Sequence, residues 1–231
     1  MFFQQLQQAF QHRFTEDQQS LVEKLSDFLF HQPETKVFII DGYAGTGKTG
    51  LMSALVKVLP FYSIKTILLA PTGRAAKVLS RNSQKTASTI HKHIYYSSID
   101  TNGNISLKLK NNKNTSTLYI VDEASMIGAR EQGFEAHNLL DDLLQHCLSG
   151  YKNKVIFMGD TAQLPPIGSS TSPALKQEYL ETEFALTTQY QRLTQVVRQA
   201  LQSGILRNAS NIRWAIANGR IRLPILQTKD L

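Results

Sequence analysis

The sequence predicts an α/β fold built on a mostly parallel sheet, and three observations carry that prediction. Short continuous apolar runs recur along the chain, helical patterns separate them, and a glycine-rich loop follows the first run and opens the first of those helices. The runs are KVFIID at 36–41, TILLA at 66–70, TLYIVD at 117–122 and KVIFMG at 154–159. Each is apolar at successive positions rather than alternate ones, the pattern of a strand covered on both faces. KTGLMSALVKVL and GRAAKVLS supply helices after the first two runs. A third helix is expected over 133–148, where Phe134, Leu140, Leu143 or Leu144, and Cys147 recur at helical spacing. One stretch departs from the pattern. Residues 95–117 alternate apolar and polar side chains around Asn102-Gly103, which predicts an antiparallel hairpin. Residues 192–219 read as one long helix or two, interrupted near Ser203-Gly204, and 220–231 trail off as a strand or loose end.

Composition bounds the function. The 231 residues hold one large domain, or a domain and part of another, and 42 % are hydrophobic. Lys and Arg outnumber Asp and Glu by 25 to 18, a net charge of +7, which fits a polyanionic partner such as nucleic acid and equally a basic enzyme that meets only its nucleotide. The single cysteine, Cys147, excludes an internal disulfide and a four-thiolate zinc site within one chain, and its apolar helical setting assigns it to the core. The first residues mix Gln and His into an apolar pattern, a poor secretory signal, and no window is long and apolar enough to span a membrane. The expectation is a cytoplasmic protein without membrane contact.

DGYAGTGKTG at 41–50 places Gly42, Gly45, Thr46, Gly47, Lys48 and Thr49 in a phosphate-cradling loop between a strand and a helix. Such a loop turns backbone N–H groups onto phosphate oxygens, Lys48 reaches the β- and γ-phosphates of ATP, and the Thr49 hydroxyl ligates Mg²⁺. Asp122-Glu123 close a buried run: Asp122 suits the metal, through water, and Glu123 the polarisation of the attacking water. Paired acids elsewhere, such as Asp141-Asp142, read as a solvated helix face. Beyond the fourth run, Gln163 carries an amide that both donates and accepts, as a γ-phosphate sensor requires.

In order along the chain these motifs resemble the superfamily 1B DNA helicases, especially the RecD-like (exodeoxyribonuclease V α-subunit type) and Dda-like ones. FTEDQ at 14–18 is similar to the adenine-recognising glutamine motif, with Gln18 as reader. Residues 42–49 match motif I, APTGRAA at 70–76 motif Ia, ASTIHK at 87–92 motif Ib, VDEAS motif II and GDTAQLPPIG motif III. LTQVVRQALQSGI at 193–205 resembles motif IV, whose arginine, here Arg198, would reach the γ-phosphate. The resemblance covers roughly 14–219. It implies an ATP-dependent single-stranded DNA translocase moving 5′ to 3′, with Thr72, Gly73, Arg74, Thr89 and His91 on the DNA. Lys77, Arg81, Lys85 and Lys92 would make that stretch basic, whereas His93 and Tyr95–Tyr96 read better as surface and packing residues. The family's motifs V and VI are not found before Leu231. The expected organisation is therefore a RecA-like motor domain at 1–190 and the start of a second at 191–231. Such a chain is expected to bind Mg-ATP and single-stranded DNA, hydrolyse feebly and not unwind, its remaining partner being the rest of the second motor domain. The competing readings are a P-loop ATPase acting as a regulatory or assembly switch and, more remotely, a small-molecule kinase.

Overall fold

A computed structural model describes residues 1–99, 105–128, 138–163, 166, 171–197 and 204–219. Two helices come first, α1 (Phe2–Phe10) and α2 (Glu16–Phe30). They are followed by β1 (Val37–Gly42), α3 (Lys48–Val58), β2 (Lys65–Ala70), α4 (Gly73–Ser83), β3 (Ala87–Thr89) and α5 (Ile90–Ile94). Next come β4 (Tyr95–Ile99), β5 (Ile105–Leu109), β6 (Thr117–Val121), α6 (Leu139–Leu148) and β7 (Lys154–Gly159). The described chain closes with α7 (Gln177–Phe184), β8 (Thr188–Leu193) and α8 (Gly204–Ala217).

Six strands pair in the order β3-β2-β6-β7-β1-β8, and every pairing is parallel. The continuous apolar runs follow from this. On β1, Phe38 and Ile40 join the core under α1, α2 and α3, while Val37 and Ile39 join the core against α5 and α6. Phe157 and Met158 divide the same way on β7. A strand apolar at every position is the sequence form of a sheet with helices on both faces. β4 and β5 form the expected antiparallel hairpin, paired from Tyr95–Leu109 to Ile99–Ile105. The Asn102-Gly103 turn lies outside the described residues.

Several local expectations change. The helix over 133–148 starts at Leu139, where the Asn138 side chain accepts from the Leu140 N–H at 3.1 Å; residues 133–137 lie outside the described residues. Asp142 is not simply a solvated acid, because it accepts the hydroxyl proton of buried Tyr95. The start of 192–219 is not helical. Arg192 and Leu193 belong to β8, opposite Asp41 and Gly42, and the described helix is α8. β8 escaped the sequence reading because TQYQRL holds a single aliphatic residue, yet it pairs with β1 along its whole length. A domain limit at residue 190 falls inside this strand. The short β3 was likewise not foreseen.

Candidate functional site

All six strands are parallel, so their carboxyl ends meet on one side of the sheet, where α/β proteins hold their ligands. There the loop after β1 turns into α3. Gly45 and Gly47 both have φ of +82°, a backbone region that L side chains avoid. At Gly47 a Cβ would also stand 2.6 Å from Gln18 Nε2. The loop's hinge residues are therefore glycines for a steric reason. Thr46 adds a brace, its hydroxyl donating to the Tyr43 carbonyl at 2.8 Å.

A cavity of about 380 Å³ opens over this loop. Gly45, Gly47, Lys48 and Thr49 line it from below, and Asp122, Glu123 and Gln163 come in from β6 and β7. Residues separated by more than a hundred positions thus share one pocket, as the motif order implies. Lys48 Nζ donates to the carbonyls of Gly42 and Tyr43, the latter at 3.1 Å. Burial lowers its pKa, and Asp160, Asp122, Asp41 and Glu123 pull the other way. Asp122 is pushed above the ordinary carboxylate range by burial, against a hydrogen bond from the Glu123 N–H (3.0 Å) and the charge of Lys48. Glu123 is raised as well, first by burial and then by Asp122 beside it. Its φ of +54° is uncommon for a residue other than glycine. Backbone conformations of this kind concentrate at working sites.

A hard divalent cation fits these donors. Thr49 and Asp122 bring a hydroxyl and a carboxylate to one pocket, and half-buried Asp122 stands beside Glu123, around which Asp122 and Asp160 place two negative charges against the one positive charge of Lys48. Among the described residues no cluster of three His, Cys, Asp or Glu side chains is grouped for a metal. Such a grouping is not required when substrate phosphates and water complete the shell.

Sequence reasoning missed the buried acid beneath the loop. Asp41 is 1 % exposed. It accepts from the Thr161 N–H (3.0 Å), the Thr161 hydroxyl (2.9 Å) and the Tyr190 hydroxyl (3.0 Å). Arg192 Nε stands 3.4 Å away. The Arg192 guanidinium also lies over the Tyr43 ring and donates to its hydroxyl at 3.1 Å. Asp41 therefore ties the end of β1 to the loop that carries Gln163 and to β8. The signal was present: an acid directly before Gly42 at the end of an apolar run. Tyr43 and Val197, which also line the cavity, had no such signal.

Gln18 is fully buried. Its Oε1 accepts from the Thr15 N–H (3.0 Å) in a capping box that opens α2, and its Nε2 donates to the Thr46 carbonyl (2.9 Å). In this structure it holds the phosphate loop to α2. Arg198 lies outside the described residues.

The other set of expected residues occupies the β2–β3 edge. Ala70 and Thr89 are opposite each other in register, so Thr89 closes β3 at the same carboxyl end of the sheet beyond which Thr72 follows β2 by two residues. Both are helix caps: Thr72 Oγ1 accepts from the Ala75 N–H at 3.2 Å, and Thr89 Oγ1 from the Lys92 N–H at 3.3 Å. Capping uses an oxygen lone pair and leaves each hydroxyl proton to donate. Gly73 and Arg74 are exposed, and His91 packs its ring against Tyr95. Lys85 does not join this edge. Its ammonium donates to the Thr66 hydroxyl, near the opposite end of β2. His93 is not a surface histidine either; it packs edge to face against His146 and Tyr119.

A family model described as an AAA domain matches residues 13–225. The chain belongs to the AAA domain family. Among curated proteins, the ATP-dependent RecD2 DNA helicase of Deinococcus radiodurans is 29 % identical over 198 residues, covering 86 % of this chain and 24 % of that protein. An uncharacterised protein of Acanthamoeba polyphaga mimivirus, R530, is 33 % identical over 181 residues, covering 69 % of this chain and 35 % of its own. Among solved structures, Bacteroides sp. Pif1 in complex with ADP-AlF4 superposes with a TM-score of 0.53 at 22 % identity, over 91 % of this chain and 47 % of that one. That likeness establishes the fold. This AAA domain thus spans about a third or less of these two curated relatives and under half of the solved structure. These findings are in keeping with the resemblance to RecD-like superfamily 1B motor domains, and what they establish is an AAA domain on a RecA-like P-loop fold. No described helix is long and apolar enough to cross a membrane.

Proposed function

We propose that this AAA domain is the ATP-binding first motor domain of a DNA helicase that moves along single-stranded DNA. One observation carries the reading: Lys48, Thr49, Asp122, Glu123 and Gln163, scattered in sequence, line a single cavity at the carboxyl ends of parallel strands. In this reading the loop's N–H groups and Lys48 hold the phosphates, and Gln18 keeps the loop in place from behind. Lys48 leaves the Gly42 and Tyr43 carbonyls to do so, exchanging two neutral acceptors for charged ones. Mg²⁺, held by Thr49 and Asp122, would neutralise charge developing on the phosphates. Glu123 takes the proton of the attacking water, a task suited by its raised pKa. Gln163, exposed at the cavity and next to the Asp41–Thr161 contact, senses the γ-phosphate. Arg198 would approach the same phosphate.

The strand itself lies on the edge formed by Thr72, Gly73, Arg74, Thr89 and His91. Hydroxyls, an imidazole and a guanidinium there grip phosphates without reading bases. Movement 5′ to 3′ is proposed from the superfamily 1B resemblance. The motor domain includes all of β8, and the chain after Leu193 leads into a second domain. The described residues hold one RecA-like parallel sheet, and stepping needs two domains that close and open. We therefore expect residues 1–231 to bind Mg-ATP and single-stranded DNA, hydrolyse feebly and not unwind. An arginine supplied by another domain is worth roughly 10³–10⁵ in rate in comparable enzymes.

The test is a pair of binding titrations, one with a fluorescent ATP analogue and one with a labelled single-stranded oligonucleotide. Thr72→Ala should weaken the oligonucleotide alone, and Lys48→Ala the nucleotide. If Thr72→Ala leaves strand binding unchanged, the domain is better read as a nucleotide-dependent assembly switch.

A further inference from the structure

Three sets of polar contacts join the start of α2, the phosphate loop and the segment after β8. Asp17, in the first turn of α2, accepts on Oδ2 from the Thr194 N–H (2.7 Å), the Thr194 hydroxyl (2.9 Å) and the Gln195 N–H (3.0 Å). Its own N–H donates to Gln195 Oε1 at 3.2 Å. One residue along, Gln18 Nε2 holds the Thr46 carbonyl at 2.9 Å. The Val197 N–H in turn donates to the Gly45 carbonyl at 3.0 Å. Consecutive carbonyls of the phosphate loop are thus held from two sides, by α2 and by residues 194–197. Asp17 fastens those two holders to each other.

The junction is polar and lies at the surface, since Thr194 and Gln195 are exposed. It can therefore change without unpacking the core. Burial pushes the Asp17 carboxyl up, but the N–H groups of Thr194 and Gln195 and the Thr194 hydroxyl together hold it below its ordinary value. The negative form is the one these donors favour. A lone acid in a first helical turn needs only its own helix dipole; this one is spent on a segment almost 180 residues away in sequence.

We infer that Asp17 is a positioning residue that clamps residues 194–197 onto the phosphate loop, so that movement of Gly45 and Thr46 on nucleotide binding is passed to the chain beyond β8. The inference rests on the nucleotide-binding reading and adds a route out of the site. Phosphates entering the loop draw Lys48 off the Gly42 and Tyr43 carbonyls and reset the backbone that Val197 holds. With the clamp in place, the segment follows. Without it, the loop moves alone.

The single tryptophan, Trp214, lies in α8 beyond the clamp and is 53 % exposed, which makes it a built-in reporter. The full 231-residue chain is titrated with Mg-ADP while Trp214 emission is followed, and the affinity is measured separately with an N-methylanthraniloyl-ADP probe. The wild-type chain should bind and change its emission. Asp17→Ala should bind the probe with an affinity within a factor of a few of wild type yet lose most of the emission change, and Asp17→Asn, which keeps an acceptor oxygen without the charge, should fall between. Thr194→Val, an exposed change that removes one donor, tests the same contact if Asp17→Ala fails to fold. An unchanged emission response in the Asp17 or Thr194 variants, even with a lowered melting temperature, overturns the clamp and leaves nucleotide binding standing, as does a wild-type chain that binds without any emission change. A wild-type chain that does not bind the probe sinks the nucleotide reading and the clamp together.

Discussion

The nucleotide cavity and the β2–β3 edge lie on the same side of one parallel sheet but are built from different materials. The cavity gathers buried charge: Lys48 among four acids, Asp41 almost sealed from water, and Glu123 at a left-handed φ. The edge is assembled from helix caps and exposed side chains, with Thr72 and Thr89 each bonded three residues ahead. Buried charge acts strongly because little water screens it, and it is costly to leave uncompensated. Capping groups are cheap and locally specified, and they hold an extended polyanion by many weak contacts. On the proposed function, a domain that grips a triphosphate tightly and a strand loosely uses both kinds.

Substitutions can break that contrast. The largest effect on affinity is expected at Lys48. Lys48→Ala should cost roughly 10- to 150-fold in ATP-analogue affinity, the worth of one charged hydrogen bond, while strand binding without nucleotide persists. Calorimetric titration of both ligands reads this. The largest effect on turnover is expected from Glu123→Gln: affinity held, and whatever turnover is measured reduced by about 10²–10⁴. The acid limb of the wild-type rate profile should lie above the ordinary carboxylate range, because burial and Asp122 raise the Glu123 pKa. A limb near pH 4 would remove Glu123 as the base.

Thr72→Ala sharpens the comparison on the other side. Here stability and strand binding should fall together, the former by about 1 kcal/mol, because one hydroxyl serves as cap and contact. Thr72→Ser should restore both, as read by thermal melts and oligonucleotide anisotropy. The smallest effect lies behind the edge, at His93. Burial, then the charges of His146, Lys110 and Lys65, lower its pKa from 6.5 to about 4. A histidine kept neutral in the fold contributes stability that is full above its unfolded value and lost as pH falls through the folded one. The chain should therefore lose melting temperature between pH 6.5 and 4, with His93 accounting for about 2–4 °C, and His93→Phe should flatten that limb. The Nε2 of His93 has no hydrogen-bond partner among the described residues, so the replacement removes a buried polar cost as well.

Much of this was legible in the chain. Runs apolar at every position announced a sheet with two covered faces, and Asn102-Gly103 announced the hairpin now seen between β4 and β5. Gly42, Gly47, Lys48 and Thr49 stand at the spacing that a phosphate loop needs, because backbone geometry over eight residues is a local matter. The motif order supplied the acids and the glutamine that share the cavity. β8 stayed hidden because its polar sequence is stabilised by its neighbour β1 rather than by its own pattern. The same holds for Asp41 under the loop, Gln18 turned inward as a brace, Asp142 holding Tyr95 and Asp17 on Thr194. By itself the sequence determined most of the elements, β3 and β8 excepted, and the chemistry they carry, because helix caps, strand patterns and loop glycines are short-range properties. The tertiary structure alone decided which charges are buried together and which polar groups spend their hydrogen bonds on the fold, because burial and pairing depend on partners up to 179 positions apart.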